Sequence, residues 1–336
     1  MSLASTLADL KDGGAVQVSD LEGAFAEIMD GKAAHEDIKR FLTLTIPLMS
    51  HAPLIAAGAR ALRSRMVRVQ APEGAIDVCG TGGDGAHSLN ISTAVAFVVA
   101  GCGVPVAKHG NRAMSSKSGA ADVLEALGVE LTGDIAAIER CLHEAGVAFL
   151  FAQNHHPAMR HMALARRELG KRTIFNLLGP LSNPAGVKRQ LLGVFSADFL
   201  EPVAHALKEL GGEKAWVVHG AGGLDELSAV HADANDVAIL DGGAVTRVTA
   251  TMAAEMDPDL RGGTATENAE ELMALLDGAG RPGHRNAVIL NAAGALVVAG
   301  RAKNVPEAWP MAAESIDSGA AREALARLIA VTRSAA

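Results

Sequence analysis

The chain has 336 residues, a formal net charge of −8 and 49% hydrophobic side chains, of which few are aromatic and none is tyrosine. That length allows one large domain with a smaller appendage, or two domains, around an aliphatic core, and the acidic balance argues against a general nucleic-acid surface while leaving room for local basic patches. No apolar run is long enough for a membrane span, the N-terminus lacks the apolar core of a signal peptide, and Cys79, Cys102 and Cys141 form no C-x-x-C pair, so a soluble, cytoplasmic, reduced protein is expected.

Residues 1–70 carry helical periodicity and little strand signal. Ser19-Asp20-Leu21-Glu22 reads as a helix start, followed by an apolar stripe through Leu21, Phe25 and Ile28 or Met29. His35-Glu36-Asp37 opens a second helix, with Ile38, Phe41, Leu42 and Leu44 inward. A third is expected over 52–66, with Arg60, Arg63, Arg65 and Arg68 as a solvated basic face. From residue 75 short apolar runs alternate with helical stretches. Strands are expected at 75–79, 104–108, 147–151, 190–195, 215–219, 238–240 and 287–290, with helices near 91–101, 117–127, 134–145, 157–169 and 197–210. This alternation predicts an α/β fold with a mainly parallel central sheet flanked by helices. Residues 232–283 are less regular and are expected to add antiparallel strands and a turn-rich excursion.

The first strand runs into Gly80-Thr81-Gly82-Gly83-Asp84-Gly85, and a helix follows Asn90-Ile91-Ser92-Thr93. Four glycines in six residues allow positive φ and close approach of a ligand to the main chain. Backbone N–H groups in such a loop, together with the helix N-terminus behind it, suit an anion. Asn90, Ser92 and Thr93 stand where they can cap that helix or bind phosphate oxygens. The stretch is no Walker loop, because Asp84-Gly85-Ala86 replaces the lysine and hydroxyl. It also lacks the acidic residue that ends the second strand of a dinucleotide fold.

Lys108-His109-Gly110-Asn111-Arg112-Ala113-Met114-Ser115-Ser116 follows the next strand, so it falls on the same sheet edge and suits a polyanion with a small polar substrate. His219-Gly220-Ala221-Gly222-Gly223-Leu224-Asp225-Glu226 follows a later strand, and adjacent carboxylates there suit magnesium, which prefers hard oxygens. His155, His156 and His161 lack zinc spacing and read as caps or packing. Arg166 and Arg167 lie on one helix, from which either can reach a carboxylate or solvent. The turn-rich 176–184 stretch is a pocket wall or a structural connection. No nucleophile stands out, so a phosphate leaving group handled by positioning and neutralisation is the chemistry that fits.

In order and spacing, Gly80-Thr81-Gly82-Gly83-Asp84, Asn90-Ile91-Ser92-Thr93, Lys108-His109-Gly110-Asn111-Arg112 and Asn176-Leu177-Leu178-Gly179-Pro180-Leu181 resemble the signatures of the anthranilate phosphoribosyltransferase family. The resemblance covers nearly the whole chain. It implies the second step of tryptophan biosynthesis from chorismate: transfer of phosphoribose from 5-phosphoribosyl 1-diphosphate (PRPP) to the amino group of anthranilate, with pyrophosphate released. It implies a helical domain of residues 1–70, joined by helices from about 157–190, beside an α/β domain of residues 75–336. A homodimer through the helical part and no nucleic-acid or membrane partner are implied too.

Carried over by position, Gly80, Gly83, Asp84, Ser88, Asn90, Ile91, Ser92, Thr93, the run Lys108 to Ser116 and Ala120 would contact PRPP. Gly80, His109, Asn111, Arg166, Gly179 and Pro180 would contact anthranilate. Ser92, Asp225 and Glu226 would hold Mg2+, and Lys108, Asp225 and Glu226 would carry the catalysis. Ser88 stands where the family commonly has threonine, and Ala120 where it has serine, leaving only backbone for a contact there. A pyrimidine nucleoside phosphorylase and a non-catalytic nucleic-acid-binding relative share this architecture. The Lys108–Arg112 run argues against the first and the acidic charge against the second.

Overall fold

The computed structural model of the chain describes residues 2–12, 16–113, 117–229, 235–250 and 259–334. Five strands, Ile76–Gly80 (β1), Val106–Gly110 (β2), Val147–Phe151 (β3), Arg189–Gly193 (β4) and Lys214–His219 (β5), form where the apolar runs predict them. Neighbours among them pair parallel. Asn235–Asp241 (β6) and Ala244–Ala250 (β7) extend the sheet as an antiparallel hairpin, giving the order β3-β2-β1-β4-β5-β6-β7. Their two-residue turn, Gly242-Gly243, has φ of 55° and 81°, which favours glycine at both positions.

Side chains alternate strictly between the sheet faces. Val78, Leu191 and Val218 join the core beneath the helices Ile91–Gly101, Pro282–Val298, Val305–Asp317 and Ala320–Ser334. Cys79, Leu192 and Val217 join a second core, shared with the helices of residues 3–63 and with the 158–181 segment. Both faces of the sheet are thus covered, as parallel strands require.

The chain steps from β1 outward to β2 and β3, then returns to build β4 and β5 on the other side. The strand order therefore reverses between β1 and β4, and the carboxyl ends of the five parallel strands share one edge. Crevices at such a reversal are where ligands bind in sheets of this kind.

Several expectations need correction. Residues 287–290 lie inside the helix Pro282–Val298 and not in a strand; every side chain from Ala287 to Val298 is buried there, so no amphipathic stripe marks it as helical. The helices Leu3–Lys11, Ala265–Leu276, Val305–Asp317 and Ala320–Ser334 went unread. The helix expected from Ser19 starts at Val18, with Gln17 as its cap. The helix at 134–145 is α-helical over Ile135–Arg140 and π-helical over Cys141–Ala145.

Of the arginines expected as a solvated face, Arg68 is exposed, but Arg60, Arg63 and Arg65 are engaged by the fold. Arg60 pairs with Glu22 at 2.6 Å, and Arg65 with Asp30 at 2.6 Å. Arg63 donates to the carbonyls of Leu181 (2.7 Å) and Leu210 (3.0 Å), and burial pushes its pKa down to about 10. The Arg60 and Arg65 pairs hold the helical layer together, and the Arg63 contacts tie it to the rest of the fold. No helix among the described residues is long and apolar enough to cross a membrane.

Candidate active site

β1 ends at Gly80 and β4 at Gly193, and these two glycines face each other in register. Asp225, from the segment after β5, lies across them. A Cβ on Gly80 would strike its carboxylate, and one on Gly193 its backbone carbonyl. The glycine loop then folds over the same acid: Gly82 N–H donates to Asp225 Oδ2 at 2.6 Å. Gly82, Gly83 and Gly85 have φ of 65°, 74° and 80°, the left-handed backbone that the glycine spacing predicts. Thr81 pins the loop to β4, donating its N–H to Gly193 O at 2.9 Å and accepting Phe195 N–H at 3.1 Å through its hydroxyl.

Beside Asp225, Glu226 Oε1 accepts the N–H of Ser92 at 3.1 Å, in the first turn of the helix Ile91–Gly101. The other oxygen of Glu226 is buried without a partner among the described residues. Burial, reinforced by Asp84, raises the pKa of Asp225 from 3.8 to about 6. Burial and the charge of Asp225 raise that of Glu226 well above the ordinary glutamate value. Two crowded acids with a bare inward oxygen are short of positive charge.

Lys108 stands on β2 beneath this pair. Its ammonium donates to Val78 O at 2.7 Å and to Ser92 Oγ at 3.1 Å, so it is directed into the sheet and is 3% exposed. Burial pushes its pKa down, opposed first by Asp77 and then by Cys79, Glu226 and Asp225. Asp77 is fully buried and accepts His109 N–H at 3.1 Å and Asn183 Nδ2 at 2.8 Å. The glycine loop, the helix start, Lys108 and the acid pair are thus one connected cluster at the β1/β4 reversal. A small cavity lined by Cys79, Ser92, Asp225, Glu226 and Asn291 lies beneath them. A larger cleft of about 560 Å3 lies elsewhere, between residues 46–50 and 197–202, and holds none of these groups.

On β2, next to Lys108, His109 Nδ1 faces Gly179 O at 3.0 Å and His109 Nε2 faces His156 Nε2 at 3.1 Å. The carbonyl requires a proton on Nδ1, so His109 Nε2 accepts from His156. Burial, with each ring's histidine neighbours, depresses both imidazoles, His156 to about 4.

The family model for the glycosyl transferase family, a/b domain, matches residues 72–322. The anthranilate phosphoribosyltransferase of Rhodospirillum rubrum is 51% identical over 318 residues, covering 93% of this chain and 91% of that protein. The anthranilate phosphoribosyltransferase structure from Thermus thermophilus superposes with a TM-score of 0.89 at 38% identity, covering 99% of this chain and 100% of that one. The Saccharomyces cerevisiae enzyme is 26% identical. Its complex with PRPP and Mg gives a TM-score of 0.87 and covers 99% of this chain and 98% of that one. Its complex with 4-fluoroanthranilate gives 0.86 and covers 99% of each. The chain belongs to the anthranilate phosphoribosyltransferase family.

Within that family frame the remaining predicted residues take distinct places. Arg166, on the helix Arg160–Leu169, lies 5.9 Å over the Phe175 ring. Burial lowers its pKa, and no carboxylate or carbonyl among the described residues pairs with it. Pro180 is buried and its carbonyl accepts Gln190 Nε2 at 2.9 Å. Arg112 turns away from the glycine loop to pair with Asp122 (2.9 Å) and Glu125 (2.7 Å). Asn111 Oδ1 accepts Arg112 N–H at 2.9 Å, and Ala113 N–H donates to Asp122 at 3.1 Å. Gly110 packs so closely on Phe149 and Ala120 that a side chain there would collide with the ring. Ser88 forms a bridge with Arg261, Ile91 is core, and Thr93 Oγ1 is buried without a partner among the described residues. Met114, Ser115 and Ser116 lie outside the described residues.

Three contributors were missed. Arg172 donates to Gly83 O and lies 4.3 Å over Phe195, bracing the glycine loop from outside. Asn291 grips the peptide of Leu227, the residue after the acid pair, with two bonds of 2.9 Å. Asn268 reaches Asn90. None sits in a motif, and Asn291 follows directly on the stretch misread as a strand.

Proposed function

We propose that this chain transfers the phosphoribosyl group of PRPP to the amino group of anthranilate, releasing pyrophosphate. The observation that carries the reading is the convergence of the glycine loop, Ser92 and the Asp225–Glu226 pair at the β1/β4 reversal. In this proposal the N–H groups of the loop and Asn90, Ser92 and Thr93 hold the donor's phosphates. Arg166, unpaired among the described residues and largely desolvated, takes the anthranilate carboxylate bidentately. His109, Asn111, Gly179 and Pro180 wall the acceptor side, and His109 offers only its apolar ring edge because Nδ1–H is committed to Gly179 and Nε2 to His156.

Ser92, Asp225 and Glu226 fit magnesium: two repelling carboxylates, one with a bare oxygen, sit beside a hydroxyl. No cluster of three or more His, Cys, Asp or Glu forms a ready cage among the described residues. That suits an ion whose other ligands are water and substrate phosphate. Bound there, magnesium would neutralise charge on the leaving pyrophosphate. Lys108 contributes by fixing Ser92 and offsetting the buried acids from below. Departure of pyrophosphate leaves an oxocarbenium-like ribose. Anthranilate's amine is already a nucleophile, so alignment of the two substrates supplies the acceleration, on the order of several kcal/mol.

The division into a helical unit of residues 1–70, joined by about 157–190, and an α/β unit of 75–336 belongs to this proposal, as do the homodimer and the cytoplasmic setting. The decisive measurement is loss of anthranilate fluorescence on mixing with PRPP, magnesium and protein. Asp225→Asn with Glu226→Gln should cut the rate on the order of a hundredfold or more and raise the magnesium requirement. Phosphorolysis of thymidine without turnover of PRPP would refute the reading.

A further inference from the structure

Asn268 lies in the helix Ala265–Leu276, far in sequence from every predicted motif, and is 3% exposed. Its carboxamide orientation is fixed, because Gly263 N–H donates to Oδ1 at 2.7 Å. The Nδ2 group must then face the other way. It donates to Asn90 Oδ1 at 2.9 Å and to Ser118 Oγ at 2.8 Å. The same segment is stitched to the glycine loop by backbone: Leu89 N–H donates to Leu260 O and Gly262 N–H to His87 O, each at 2.8 Å. Gly262 has no room for a Cβ against the Ser88 carbonyl.

Asn90 is the N-cap residue of the helix Ile91–Gly101, yet its side chain makes no capping bond. Its Oδ1 is taken by Asn268, and its Nδ2 has no partner among the described residues. A carboxamide has one acceptor end and one donor end. Holding the acceptor end leaves the two N–H donors of Asn90 turned away from Asn268.

We propose that Asn268 is a positioning residue for the donor substrate: it selects the amide orientation of Asn90 that presents N–H, and not C=O, to a phosphate oxygen. The inference rests on the phosphate-binding reading of the glycine loop. The orientation is relayed from the Gly263 peptide through Asn268 to Asn90. A phosphate accepts hydrogen bonds and repels a carbonyl oxygen, so the choice of orientation governs affinity for the anion. Ser118 is held by the same Nδ2, which couples the start of the Ala120–Ala126 helix to this arrangement.

The test is a double-mutant cycle of Asn268→Ala and Asn268→Asp with Asn90→Ala. Asn268→Asp keeps the acceptor for Gly263 and replaces the donor by a charged acceptor, so it guards against loss of the Gly263 contact in the alanine variant, while the neutral alanine variant guards against an effect of the added charge. Each Asn268 variant alone should raise the KM for PRPP about tenfold or more, the weight of one charge-assisted hydrogen bond, and move that for anthranilate less than about twofold. In the Asn90→Ala background Asn268→Ala should add nothing. An equal rise in both KM values, or an undiminished effect in that background, overturns the proposal. Calorimetric binding of inorganic pyrophosphate with magnesium separates the two readings. Absence of PRPP turnover in the unmutated protein refutes the transferase reading. Equal pyrophosphate affinity in the unmutated protein and Asn268→Asp refutes this one.

Discussion

Removing the charge of Asp225 should stabilise the empty protein at neutral pH and leave it unchanged in acid. Burial and Asp84 lift this carboxyl from 3.8 to about 6. Below about pH 4 it is protonated in folded and unfolded chains alike, and ionisation costs nothing. Between about pH 4 and 6 the unfolded chain ionises first, so folding stability falls as pH rises. Above about pH 6 both states are ionised and the deficit is constant, about 3 kcal/mol at 1.36 kcal/mol per tenfold change in proton affinity. Asp225→Asn keeps an oxygen for Gly82 N–H and removes the ionisation. Urea unfolding in chelator across about pH 4 to 8 should show the variant and the unmutated protein together at the acid end. At about pH 7.5 the variant should be more stable by up to about 3 kcal/mol. Excess magnesium with pyrophosphate should close that gap by stabilising only the unmutated protein. A variant no more stable at neutral pH, or a gap that widens toward acid, would refute the account of a strained acid pair.

Arg166→Ala should raise the KM for anthranilate about 10- to 100-fold and leave that for PRPP near its starting value; steady-state kinetics showing equal shifts would remove Arg166 from the acceptor site. Gly193→Ala forces a methyl onto the Asp225 backbone and should lower stability by about 1–3 kcal/mol together with kcat, whereas unaltered melting and turnover would mean that Asp225 moves freely. His156, depressed to about 4, is neutral in the folded chain while the unfolded chain protonates from about pH 6.5 downward, so stability is lost through that window. His156→Gln should lessen this acid loss in pH-dependent melting, and the pH profile of kcat should lack an imidazole limb near about 6.5.

The sheet was legible because its strands are short β-branched runs flanked by glycine, and the glycine loop because positive φ at Gly82, Gly83 and Gly85 leaves a mark in composition. Periodicity failed where burial is complete. Residues 287–290 look alike in a strand or in a helix packed on every side, since neither leaves a polar face to count. Charge was legible as presence and not as direction. Arg112 faces Asp122 and Glu125 instead of the loop, and Lys108 faces Val78 and Ser92. The unread contributors act across long sequence gaps. Asn268 meets Asn90 at a separation of 178 residues, and no local pattern encodes such a meeting.

The facing pair Gly80 and Gly193 gives the acid at 225 a seat cut into the sheet itself. Its depth is set by two missing methyl groups, so it is rigid in a way that a loop-borne seat is not. Attempts to retailor the enzyme for other sugar donors have no latitude at 80 or 193.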